Sequence, residues 1–276
     1  QSSTDSFNYT ITDPFNQTST ATVTVTVENS ALIPGLAGSR GVGGDPEGIA
    51  FNSTGSRMFI VDNADEKVVQ YDLSTNFDVT TATGSGSLNI NSQLERPTTV
   101  EFNNTGSRMF VTGRFFDRIY QYDLTTNFDV TTASPAGFKS FNYSPDVSPT
   151  GIAFNSTGNL MVLVDAFADG VLEFNLSGPF NISTASKTSE EIFVQNPHAV
   201  TFNDTGSRMF VVSQELNNRQ VIQYNLSTPY DIATASFTNT FGIGSEDQVP
   251  NGIKFSNSGN RMFIVGSEND KVYQYN

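Results

Sequence analysis

PEGIAFNSTGSRMFIVDNADEKVVQYDL, residues 46–73, returns as PTTVEFNNTGSRMFVTGRFFDRIYQYDL from Pro97 and PTGIAFNSTGNLMVLVDAFADGVLEFNL from Pro149. It returns again as PHAVTFNDTGSRMFVVSQELNNRQVIQYNL from Pro197 and PNGIKFSNSGNRMFIVGSENDKVYQYN from Pro250. The opening prolines stand 51, 52, 48 and 53 residues apart, and all five methionines (Met58, Met109, Met161, Met209, Met262) occupy one repeat position. A period near 50 residues marks a repeat architecture in which one unit cannot bury its faces without neighbours.

Within each unit G-I-A-F or its equivalent reads as a short strand, N-S-T-G as a tight turn ending in glycine, and R-M-F-I-V as a second strand. A polar loop leads to V-V-Q-Y-D-L, whose alternation sets Val69 and Tyr71 on one face and Val68, Gln70 and Asp72 on the other. The stretch S-T-N-F-D-V-T-T-A (residues 74–82) recurs three times and leads into a fourth strand, placed at Ser87 to Ile90 and at Ser236 to Phe241. Four strands per unit can form an open solenoid or a closed propeller. The chain ends favour the ring: the fifth unit stops at Asn276 after its third strand, and Ala31 to Gly44 precedes the first unit where an outer strand belongs. The expected fold is all-β, a five-bladed β-propeller over residues 31–276, its first and last blades laced at Ala31 to Leu36 and Val272 to Tyr275. Closure also removes exposed sheet edges.

The repeats resemble the propeller units of the form PTGLAFSxDGTKMFVxGxxxDxVYQYxLSTPFDxSTA found in bacterial, archaeal and phage surface or secreted proteins. N-S-T-G-S-R-M-F, V-Y-Q-Y and S-T-P-Y-D-I-A-T-A carry the likeness, which covers Pro46 to Asn276. It implies a fold and an extracellular location and brings no catalytic residues. Residues 1–30 differ, running D-S-F-N-Y-T-I-T-D, a turn, then T-V-T-V-T-V-E-N. This β-hairpin arm looks like the last strands of a cadherin-like or immunoglobulin-like surface module. Val23, Val25 and Val27 share one face that wants cover, because an isolated hairpin is marginal in water. Either the hairpin folds back on its own propeller or another chain completes it by donor-strand complementation.

Asp and Glu number 28 against 14 Lys and Arg, a net charge of −14 that argues against nucleic acid or an anionic membrane as partner. Cysteine is absent, which excludes disulfides and thiolate metal sites. No run approaches the ~18 apolar residues of a membrane span, and no signal peptide is read, so a secreted chain would have Gln1 as a processed or trimmed end.

Asn-x-Ser/Thr sequons stand at Asn8, Asn16, Asn52, Asn103, Asn142, Asn155, Asn175, Asn181, Asn203 and Asn225. Four share the repeat turn (Asn52, Asn103, Asn155, Asn203), where asparagine is also what turn geometry asks for. Loop carboxylates at Asp62 to Glu66, Ser245 to Asp247 and Ser267 to Asp270 could hold calcium, but solvated acidic loops explain them better, and no metal or cofactor is assigned. A propeller glycosidase needs two axial carboxylates, and the first strands offer only Glu101. His198, the only histidine, reads as a surface loop residue. Arg57, Arg108, Arg208 and Arg261 recur at one position and are expected to pair from blade to blade with carboxylates such as Asp72 or Asp123, rather than to form a ring of cations for an acidic ligand. Phe77, Phe128, Phe180 and Tyr230 could stack on sugars or fill the core.

These features point to a non-enzymatic extracellular structural or adhesive glycoprotein, self-associating through its arm into a filament or surface layer, with no direct membrane insertion. A lectin-like propeller with carbohydrate as partner is the alternative, and a propeller hydrolase using Glu101 comes third.

Overall fold

The computed structural model describes residues 2–28, 34–115, 117–141 and 147–276. The chain divides into two compact units, Gln1–Pro34 and Gly35–Asn276. The first is a hairpin of Ser2–Thr12 and Thr18–Glu28, antiparallel, with Val23, Val25 and Val27 opposite Phe7, Asp5 and Ser3. The side chains of those three valines lie outside the described residues. Asp13 folds the turn, its Oδ1 accepting from the N–H of Phe15 (2.9 Å) and Gln17 (2.8 Å), with Asn16 in the left-handed region.

The second unit is five four-stranded antiparallel sheets, a five-bladed β-propeller. Blade 1 runs Pro46–Phe51, Arg57–Asp62, Lys67–Leu73 and Ala82–Asn89 from axis to rim, and blades 2, 3 and 4 start at Pro97–Phe102, Pro149–Phe154 and Pro197–Phe202. Blade 5 joins Pro250–Phe255, Met262–Gly266 and Lys271–Tyr275 to Leu36–Gly41. The lacing strand is therefore Leu36–Gly41, not Ala31–Leu36. Its register runs from Tyr275 opposite Leu36 to Lys271 opposite Gly41, and Gly35 and Asn276 exchange backbone hydrogen bonds beyond it. Residues 31–33 lie outside the described ones. The rim strands also start earlier than the sequence suggests, at Ala82 and Ala235, while Ile90 lies beyond its strand.

The core lies between blades, which is why one repeat cannot fold alone. Phe59, Val61 and Val68 of blade 1 pack on Val100, Met109 and Tyr122 of blade 2. Ile49, Met58 and Tyr71 pack on Phe263, Val265 and Val272 of blade 5, which closes the ring. Val68 and Tyr71 thus face opposite neighbours, as the alternation requires.

Side chains also latch neighbouring blades. The N–H groups of Val130 and Val79 donate to Oε1 of Gln70 and Gln274, each at 3.1 Å, and that of Ile232 donates to Glu173 Oε2 at 3.4 Å. Gln274→Leu strands the N–H of fully buried Val79 and is expected to cost about 1–3 kcal/mol. Urea unfolding checks it against Gln223→Leu, whose side chain among the described residues reaches only Asn225 and which should change little.

Candidate functional site

Each innermost strand begins with proline, and each carries a β-bulge at the next residue. The pairing register shifts between Pro46 and Gly48, Pro97 and Thr99, Pro149 and Gly151, Pro197 and Ala199, and Pro250 and Gly252. A bulge leaves its extra residue out of the ladder and re-aims its side chain. The five bulged residues are Glu47, Thr98, Thr150, His198 and Asn251, all buried. His198 is therefore a strand residue, 8% exposed, and not the surface loop histidine that the sequence suggests.

Three of these residues lace the ring. Thr98 Oγ1 donates to the Pro149 carbonyl (3.1 Å), Thr150 Oγ1 to that of Pro197 (3.4 Å) and Asn251 Nδ2 to that of Pro46 (3.2 Å). At Pro250 the donor is Gln214 Nε2 (3.0 Å). Among the described residues the Pro97 carbonyl receives no side-chain donor. The two bulged residues left out of the lacing are the two titratable ones, and both meet Arg114. Arg114 Nη2 lies 3.4 Å from Glu47 Oε2 and 3.2 Å from His198 Nδ1.

Burial pushes the Glu47 carboxyl up to about 7; Arg114 offsets this in part and Asp45 adds to it. Burial, reinforced by Arg114, takes His198 down to about 3. The imidazole is thus neutral at ordinary pH, and with Nδ1 accepting from Arg114 its proton sits on Nε2. The site brings together a carboxyl that titrates near neutrality, a neutral imidazole and a guanidinium, groups suited to proton transfer or to holding an anion.

At the other end of the axis the fifth strand position carries Ala50, Glu101, Ala153, Thr201 and Lys254. Lys254 of blade 5 reaches Glu101 of blade 2 as a largely buried ion pair, with side chains 19% and 12% exposed. Burial raises the Glu101 carboxyl even so, against the pull of Lys254. The pair lies in a depression of about 400 Å³ that also contacts Asn104, Thr201, Asp204 and Asn257. Asp204, whose carboxyl burial also raises, gives this end a second carboxylate that the first strands alone did not reveal.

Several of the remaining residues singled out in the sequence serve the fold. Phe77, Phe128, Phe180 and Tyr230 each cover a turn glycine: a Cβ on Gly55, Gly106, Gly158 or Gly206 would lie 2.1–2.2 Å from the ring. Those glycines have φ of +69° to +73°, so the ring occupies space that the turn conformation frees, and this face cannot also stack on a sugar. Arg57 and Arg108 pair with Asp72 and Asp123 at 3.2 and 3.3 Å, but as register partners within one blade rather than from blade to blade. What reaches the next blade is Nη1 of Arg57 and of Arg261, donating to the carbonyls of Phe128 and Phe77.

Asn52 closes its turn with both ends of its side chain, Oδ1 accepting from the Arg57 N–H and Nδ2 donating to Ser56 Oγ, each at 3.0 Å. Asn103 and Asn203 repeat this pattern, and Asn155 does so with Leu160 and Asn159. Asn8, Asn16, Asn175 and Asn225 are exposed, Asn181 is half-buried, and Asn142 lies outside the described residues. In the acidic loops, Asp62 Oδ1 accepts from the N–H of Asp45, Ala64 and Asp65 while Lys67 meets Oδ2, and Asp247 is bonded to Val249, Glu268 and Asn269.

No protein-family model and no curated protein sequence matches the chain. Solved structures do. A Myxococcus xanthus glutaminyl cyclase superposes with TM-score 0.62 at 8% identity, over 88% of this chain and 95% of its own. The Myceliophteria thermophila Cps50 (Swd1) β-propeller domain gives 0.52 at 10% identity, over 88% and 99%. A functionally unknown protein from Desulfotomaculum acetoxidans gives 0.49 at 15% identity, over 82% and 64%. The chain spans less than two thirds of the length of that protein and of several other matched structures. At these identities the likeness establishes the fold alone. It also corrects the expectation of a protein without enzymatic activity: a glutaminyl cyclase shares the fold, so the fold leaves catalysis open. The middle of the first strands offers one acid, Glu101, whereas the folded ring presents titratable groups at both ends.

Proposed function

We propose that the chain is an extracellular surface module of structural or adhesive type that associates with copies of itself through its N-terminal hairpin. The observation that carries this reading is the pairing of the hairpin. Among the described residues, Ser2–Thr12 and Thr18–Glu28 bond only to each other, which leaves two unpaired edges, each eleven residues long. Such edges are templates for a strand from another chain. The propeller, in contrast, carries its own closing strand. The repeat resemblance and the acidic composition support an extracellular setting, and the end of a cadherin-like or immunoglobulin-like module is the origin we propose for the hairpin.

Native mass spectrometry and size-exclusion chromatography test the reading. The full chain is expected to form oligomers, and residues 35–276 alone to fold as a monomer. Peptide mapping of secreted protein is expected to find glycan on the exposed Asn175 and Asn225 before the turn asparagines, whose amide nitrogens are engaged. A full chain that stays monomeric at its highest soluble concentration would remove the assembly role.

A further inference from the structure

Glu47 stands where its counterparts lace the ring. In the other blades this position donates to the next blade's proline carbonyl, or another side chain does so in its place. A carboxylate has no proton to donate, and the Pro97 carbonyl next in line receives no side-chain donor among the described residues. Ionised Glu47 turns instead to Arg114, and at 3.4 Å the contact is long for a charge-assisted bond.

Arg114 is correspondingly underused. Its Nη2 serves Glu47 and His198, Nε is buried without a partner, and Nη1 makes no hydrogen bond among the described residues. Its side chain is 31% exposed, so solutes reach it from the end of the ring. A guanidinium with spare N–H groups in a planar fork matches a carboxylate bidentately.

We infer that the Glu47–Arg114–His198 cluster binds a small carboxylate, which replaces Glu47 on the Arg114 guanidinium while Glu47 takes up one proton and donates it to the Pro97 carbonyl. Glu47 acts as the internal stand-in for the ligand, which is why the site already fits a carboxylate. Protonation completes the lacing and frees the cation in one step, so ligand binding and proton uptake are linked. His198 Nε2, which makes no hydrogen bond among the described residues, offers the ligand a further donor.

The charged groups around Glu47 are consistent with this. Arg114 of the adjacent blade meets it, His198 meets the same guanidinium nitrogen, and Asp45 flanks it on its own blade. Asp62, behind Asp45, is tied to Lys67 at 3.3 Å. His198 stays neutral over the relevant range, which leaves Glu47 as the group that titrates near neutral pH. Only protonated Glu47 releases Arg114, so affinity falls as pH rises through about 7.

The test is NMR titration of the full chain with acetate at pH 6 and pH 8, with inorganic phosphate as a second probe. Acetate is expected to shift the signals of Glu47, Arg114 and His198 and to bind about tenfold more tightly at pH 6, from the fraction of Glu47 protonated at each pH. Glu47→Gln keeps a donor for the Pro97 carbonyl and has no charge. It should bind equally at both pH values and about tenfold more tightly than wild type at pH 8. Arg114→Met should abolish binding, with its melting curve as the folding control. Acetate that leaves all three residues unmoved would overturn the proposal, as would a pH dependence that survives in Glu47→Gln. Phosphate binding more tightly than acetate at the same residues would overturn the choice of a carboxylate.

Discussion

Gly48→Ala is expected to cost about 3 kcal/mol or more, a large effect for one methyl group. A Cβ at this position would lie 2.6 Å from Thr99 Cα and 2.7 Å from the Thr98 carbonyl oxygen, both backbone of the next blade. Neither can swing aside as a flexible side chain would, so the innermost strands must part. Parting them stretches the lacing bonds of the neighbouring bulges as well. The column reads Gly48, Thr99, Gly151, Ala199, Gly252, so where one blade brings a side chain to the seam the next often supplies none. A Cβ on Gly151 would likewise meet Ala199 Cα at 2.9 Å, and one on Gly252 the Glu47 carbonyl at 3.0 Å. Differential scanning calorimetry should show a midpoint lowered by roughly 10 °C, at about 2–4 °C per kcal/mol for a chain of this size. Gly84→Ala, with nothing within 4 Å, should stay close to wild type. An unchanged midpoint for Gly48→Ala would mean that the axis is looser than its contacts indicate.

The ring was legible because its determinants repeat. Phe51, Phe102, Phe154 and Phe255 sit at one spacing because each packs on the second-strand phenylalanine of the preceding blade (Phe263, Phe59, Phe110, Phe210), with centroids 4.5–4.9 Å apart. The turn asparagines recur because each closes the same hairpin with its own side chain. The sequence puts the closing strand a few residues early because Leu36–Gly41 follows no repeat pattern and is fixed only by its register against Lys271–Tyr275.

The axial groups were not legible for the complementary reason. They occupy the columns that vary. Glu47, Thr98, Thr150, His198 and Asn251 differ from blade to blade, and the bulge that turns them inward is a property of pairing rather than of composition. Arg114 is 67 residues from Glu47 and 84 from His198, and it lies in a loop that repeats poorly. One signal was available: the residue after each proline is polar in all five units, at the start of a strand otherwise made, save at Glu101 and Lys254, of small and apolar residues. The column of Ala50, Glu101, Ala153, Thr201 and Lys254 carried a similar one, because two opposite charges stand among small side chains.

Those two charges give the other large effect. Lys254→Met leaves Glu101 buried without its cation and is expected to cost about 3–5 kcal/mol at neutral pH. The pH dependence fixes the cause. Burial already holds the Glu101 carboxyl above its ordinary range, and losing Lys254 raises it further. A carboxyl whose folded value exceeds its unfolded one favours the fold when protonated. Its contribution is fully present below the unfolded value and is lost as pH rises through the folded one. The deficit of Lys254→Met should therefore be largest at pH 8 and shrink towards pH 4, as urea unfolding at the two pH values will report. Adding Glu101→Gln removes the stranded charge, and the double variant should regain most of the loss, since neutral replacements of buried pairs are often no less stable. A single variant as stable as wild type at pH 8 would show that the pair is not desolvated. If the double variant matches wild type, folding does not require the pair, and its place at the floor of the depression becomes the reason to look for what binds there.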